Sequence, residues 1–95
     1  MEKFTLTRDD KHIYLKDVEG RNSREELAAV LKIFTDEGCT ISDRIVGPDC
    51  VWYPCKLEGY RFAVCDASAS NEGIMLCVDD ESTMKYLEKV LKEKL

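Results

Sequence analysis

Val51-Trp52-Tyr53-Pro54-Cys55-Lys56-Leu57, then Glu58-Gly59, then Tyr60-Arg61-Phe62-Ala63-Val64-Cys65, reads as two strands joined by a two-residue turn. Successive side chains of a strand point to opposite faces, so the position of the turn decides which residues share a face. A turn at Glu58-Gly59 sets Leu57 opposite Tyr60, Cys55 opposite Phe62 and Tyr53 opposite Val64, which makes one apolar face. The other face carries Lys56 opposite Arg61, Pro54 opposite Ala63 and Trp52 opposite Cys65. It is basic near the turn and apolar away from it. A slip of one residue would exchange the two faces. The next strand-like run, Ile74-Met75-Leu76-Cys77-Val78, adds Met75 and Cys77 to this second face if Ile74, Leu76 and Val78 take the core. A sheet packed on one side only alternates cleanly between apolar and polar. Here the second face is apolar too, so a cover is expected. It is either a partner or the chain's own first hairpin or Gly47–Cys50 segment.

Working outward, Lys3 to Arg8 alternates with Phe4 and Leu6 inward, Asp9-Asp10-Lys11 signals a turn, and His12 to Lys16 carries Ile13 and Leu15 on one side. This is a first hairpin. Ser23 and Glu26 have the S-x-x-E spacing of a capping box, in which hydroxyl and carboxylate satisfy two orphaned backbone donors. Leu27, Val30, Leu31 and Phe34 follow at helical spacing, and Gly38 suits the residue after a helix, which predicts a helix over Arg24 to Glu37. Cys39 to Ser42 resumes a strand, continued by Ile45-Val46 after a bulge near Asp43. Asp66 to Gly73 reads as a loop. Asp79 or Asp80 caps a last helix with a buried stripe of Met84, Leu87, Leu91 and Leu95, Val90 beside it, and Glu81–Lys85 and Glu88–Lys92 pairs on its exposed side.

The expected architecture is a single α+β domain over residues 1–95. It has a mostly antiparallel sheet of about five to six strands and two amphipathic helices on one face, in the order ββαββββα.

The formal net charge is −5, and the acids concentrate between Asp36 and Glu81. Such a chain repels phosphates, so neither nucleic acid nor an anionic membrane is an expected partner. A basic protein or a cation suits it better, although surface acids also serve solubility alone. Met1 to Thr5 lacks the apolar segment of a secretion signal, and no run approaches the roughly 20 apolar residues of a membrane span. The expectation is therefore a cytoplasmic protein whose five cysteines are free thiols.

Few residues suggest chemistry. The cysteines lack C-x-x-C spacing and His12 is the one histidine, so structural zinc is not expected and small buried hydrophobes are the expected role. Cys65 and Cys77 could form a redox pair if they lie on neighbouring strands. Ser68 and Ser70 lack a nucleophile elbow, and His12 reads as an exposed histidine of an edge hairpin. Asp79, Asp80, Glu81 and Asp66 could hold Mg²⁺, but acids at a helix start are more simply caps. The five glycines are isolated, with no phosphate-binding pattern. No cofactor and no metal is expected.

What remains is a surface. The expected function is a non-enzymatic acidic protein-binding module, an inhibitor or immunity-type protein against a basic enzyme such as a nuclease toxin. The expected contacts are Trp52, Asp66, Glu72, Asp49 and Glu58. The alternatives are a homodimeric or small-ligand-binding regulatory domain built on the same face, and a small enzyme that needs Asp66, Asp79 and Asp80 to converge.

Overall fold

The central hairpin forms the middle of a seven-stranded sheet in the computed structural model, which describes residues 4–18, 20, 22–70 and 72–94. The strands are β1 (Phe4–Arg8), β2 (His12–Asp17), β3 (Thr40–Ile41), β4 (Ile45–Val46), β5 (Val51–Leu57), β6 (Tyr60–Ala67) and β7 (Gly73–Cys77). The helices are α1 (Ser23–Asp36), between β2 and β3, and α2 (Glu81–Lys94), after β7. The order across the sheet is β1-β2-β7-β6-β5-β3, with β4 also pairing β5, and every pair is antiparallel. The architecture is α+β, as the sequence predicts.

The register of β5 and β6 matches the sequence reading pair for pair, from Trp52↔Cys65 to Leu57↔Tyr60. Glu58 (φ 52) and Gly59 (φ 84) both take the positive φ of a type I′ turn, whose twist matches the flanking strands. Both helices pack on the face that carries Cys55, Leu57, Phe62, Val64, Ile74, Leu76 and Val78. α1 contributes Ala29, Val30, Ile33 and Phe34, and α2 contributes Met84, Leu87, Val90 and Leu91. Phe34 meets Phe62 with ring centroids 5.0 Å apart. Leu27 and Leu31, expected in the buried stripe, lie at its margin and are only partly buried.

Several local expectations are corrected. The cap of α1 is Asn22, one residue earlier than Ser23: its side-chain oxygen accepts from the Glu25 N–H at 2.9 Å, and its amide donates to the Glu25 carboxylate at 2.7 Å. The capping pair is thus Asn22 with Glu25, and the Glu26 carboxylate lies near Gly73. Of the two acids expected to cap α2, Asp80 does so, as the sequence allows, accepting from the Thr83 N–H and hydroxyl. Glu81 and Glu88 turn to Arg8 on β1, at 3.1 and 3.3 Å, instead of to the lysines of their own helix. The bulge expected near Asp43 is present: β3 and β4 both pair β5, and residues 42–44 stand opposite only Tyr53 and Pro54. Ser42 donates to the Pro54 carbonyl at 2.9 Å, and Pro54 has no N–H to return, so the outer ladder breaks there. β6 runs on through Ala67 into a 3-10 turn at Ser68–Ser70, shortening the expected loop. The expectations for Lys3, Asn71 and Leu95 lie outside the described residues.

Candidate functional site on the open sheet face

Among the described residues no α-helix lies on the other side of the sheet, and the residues expected there are all on it. Cys65, Ala67 and Met75 form a second apolar cluster, with Tyr14, Cys50, Trp52, Ala63 and Cys77 packed around them. The cover is partial and comes from the chain itself. The turn between β4 and β5 closes with the Gly47 N–H on the Cys50 carbonyl at 2.8 Å, and this carries Gly47 against Trp52. A Cβ on Gly47 would stand 2.5 Å from the Trp52 ring, so only glycine admits the indole there. Cys65 and Met75 are thereby 2% and 8% exposed, while Trp52, Ala63, Cys77 and Tyr14 remain half-buried. Ile45, the register partner of Trp52, is 56% exposed and extends the apolar surface to the sheet edge.

The β1–β2 turn orders the opposite flank. Asp9 accepts from the backbone N–H groups of Lys11 and His12, both at 2.8 Å, and from the Tyr14 hydroxyl at 2.9 Å. It also contacts His12 Nδ1 at 3.1 Å. These donors, the Lys11 N–H foremost, hold the Asp9 carboxyl down at about 2. The same bond raises the Tyr14 hydroxyl above its ordinary value. The β1–β2 hairpin is at the edge of the sheet, as expected, and His12 is half-buried on its inner strand, between β1 and β7.

The five expected contact residues do not form one patch. Trp52, Asp49, Asp66 and Glu72 lie at one end of the sheet, where β5 begins, β6 ends and β7 begins. Asp49 and Glu72 are exposed there, two strands apart, about 10 Å at ~4.8 Å per strand. Asp66 alternates with Cys65 and so points toward the helix side. Its carboxylate takes the Ser68 N–H at 3.0 Å and hydroxyl at 2.6 Å, capping the 3-10 turn. Glu58 is at the far end of β5, roughly 23 Å away at ~3.3 Å per residue. Asp66 is also separated from Asp79 and Asp80 by the length of β7, so the three acids do not converge. Among the described residues no group of three or more His, Cys, Asp or Glu side chains could hold a metal ion. No described helix is long and apolar enough to cross a membrane.

The cysteines divide into two sets by face. Cys65 and Cys77 are paired as a disulfide on the open face, which corrects the expectation of five free thiols; Cys39, Cys50 and Cys55 are free. On the helix side, burial and the neighbouring Cys39 push the Cys55 thiol up to about 12. Burial raises Cys39 as well. A cleft of about 460 Å³ opens beside Tyr14, Lys16, Glu26, Glu72 and Gly73. Its lining is rich in charge, unlike the apolar walls of most small-molecule sites.

No family model matches the chain, and neither a curated protein nor a solved structure matches it significantly.

Proposed function

We propose that this chain is a non-enzymatic protein-binding module that engages a basic protein through the Trp52 end of its open sheet face. The observation that carries the reading is the helix-free face with its apolar cluster around a half-buried tryptophan. Apolar patches of this kind on small domains mark interaction sites, and tryptophan is the residue type most enriched among binding hot spots. Asp49 and Glu72 at the same end, with the net charge of −5, favour a basic surface opposite. An inhibitor of a basic enzyme, of the immunity type that neutralises a nuclease, fits this chemistry. Trp52 is its anchor; Asp49 and Glu72 steer. Asp66 and Glu58, committed to a turn cap and to the far hairpin, are left out of this contact set.

The test starts with capture from a native extract on wild-type and Trp52→Arg baits of verified fold, followed by titration of the retained protein in purified form. The reading expects a basic enzyme whose affinity falls at least about 30-fold in Trp52→Arg, the size of a ~2 kcal/mol hot spot, and declines with salt. A partner indifferent to Trp52→Arg sinks it. Light scattering on the free chain expects a monomer. A dimer dissociated by Trp52→Arg would replace the reading with self-association through the same face.

A further inference from the structure

Cys65 sits opposite Met75 in the β6–β7 ladder, and Cys77 sits opposite Ala63. The two cysteines are therefore diagonal neighbours on one face of adjacent strands. Their Cα atoms are 6.7 Å apart, within the reach of a disulfide. The ladder already joins β6 and β7 through five register pairs, so the sheet does not depend on the sulfur bond to hold these strands together. The fold accommodates both the dithiol and the disulfide.

The two sulfurs are not equivalent. Cys65 is 2% exposed, beneath Trp52 and beside Met75, whereas Cys77 is half-buried toward the open face, with no helix above it. His12 is the register partner of Cys77 on its other side. The helix-side cysteines have the opposite surroundings: Cys55 is buried and held protonated. Of the Cys65–Cys77 pair, Cys77 is thus the more accessible sulfur.

We propose that Cys65 and Cys77 form a reversible thiol–disulfide exchange site for low-molecular-weight thiols and disulfides of the glutathione class, with Cys77 the reacting sulfur and Cys65 the resolving one. This is independent of the partner-binding reading. In the oxidising direction the Cys77 thiolate attacks one sulfur of the small disulfide. A mixed disulfide forms and one small thiolate leaves, taking up a proton. The deprotonated Cys65 then attacks the Cys77 sulfur, the protein disulfide forms, and the second small thiol leaves. Two protein thiols lose two electrons and two protons, and one small disulfide becomes two thiols. Reduction runs the same steps backward, beginning with attack of a small thiolate at Cys77.

The test equilibrates the folded protein across ratios of reduced to oxidised glutathione. Each sample is quenched in acid, its free thiols are alkylated, and linkages are mapped by mass spectrometry. The expected result is loss of two alkylatable thiols together, a Cys65–Cys77 linked peptide, three thiols still modified, and full reversal on raising the ratio. Trp52, the register partner of Cys65 and the single tryptophan, reports the same midpoint by its emission. Five modified thiols at every ratio, a linkage through Cys39, Cys50 or Cys55, or a disulfide that excess thiol does not open without denaturant would each overturn the site. The order of attack is read from single-cysteine variants of verified fold. Cys65→Ser should acquire glutathione at Cys77 at least about tenfold faster than Cys77→Ser acquires it at Cys65, since access governs the exchange rate. Equal or inverted rates would overturn the assignment of Cys77.

Discussion

Glu58 occupies φ 52, a left-handed conformation that an L-residue with a Cβ adopts at a cost of about 1–2 kcal/mol. Asn tolerates it better and is the preferred first residue of a type I′ turn. Glu58→Asn is expected to stabilise the protein by about 0.5–1 kcal/mol in urea unfolding, with an unchanged slope. It should leave partner affinity untouched, because Glu58 is at the end of β5 remote from Trp52. A stability loss would mean that its carboxylate makes a contact the turn needs. Asp9 gives a prediction in pH. Its carboxyl is lowered to about 2 in the fold, against ~3.9 in an unfolded chain. The ionised form therefore stabilises the native state fully above about pH 4, and that contribution is lost as pH falls through about 2. Asp9→Asn should lower the melting temperature by a constant amount near neutrality, with the gap narrowing below pH ~4 and closing near pH ~2. A gap that ignores pH would show that the hydrogen bonds of the turn, and not the charge, carry the effect.

The elements differ in how much of them could be read beforehand. The β5–β6 hairpin was legible to the single pair because Glu58-Gly59 fixes the turn and the turn fixes both faces. Helix α1 was legible from its period, but its cap was not. Asn22 and Ser23 both suit the position, and both have a glutamate three residues on. Which one holds the cap depends on where the chain enters from β2, a tertiary matter. The pairing of β2 with β7 joins segments about sixty residues apart, such as Ile13 with Leu76, and no local pattern announces it. That same pairing makes the open face continuous from Trp52 to Tyr14. Tyr14 was missed as a member of the site for this reason, its one signal being strand alternation on β2, whereas Cys50 belongs to the Gly47–Cys50 segment already expected as a cover. Helix α1 docks on the sheet where Phe34, fully buried, meets Phe62 of β6. Phe34→Ala should cost about 3–5 kcal/mol, checked by chemical denaturation, and should unfold a protein of marginal stability. A loss under ~1 kcal/mol would mean that α1 is not docked as described.

The molecule as a whole has two apolar sheet faces and helices for one of them. The covered face accounts for the fold, and the uncovered face accounts for the reading of function. The charge adds an asymmetry: the exposed carboxylates Asp49 and Glu72 stand at the Trp52 end, whereas Lys56 and Arg61 face each other at the hairpin end. A partner steered by this arrangement should associate more slowly as salt rises, with dissociation little changed. Raising ionic strength from about 0.01 M to 0.15 M shortens the screening length from ~30 Å to ~8 Å, and stopped-flow mixing with the purified partner would measure the effect. A salt-independent association rate would remove the acids from the mechanism and leave Trp52 as an apolar anchor alone.

The broken outer ladder at Pro54 also bears on what this chain can avoid. An unbroken terminal strand offers a row of free backbone donors and acceptors on which another polypeptide can crystallise as one more strand, the first step toward fibrils. Here that margin consists of two fragments of two residues each, with a one-residue shift of register between them. The stretch of β5 behind them includes a position that cannot donate. Growth of the sheet from that side is blocked by geometry. Two copies that meet must do so face to face or through β1, the one five-residue strand among those described that lies at a sheet edge.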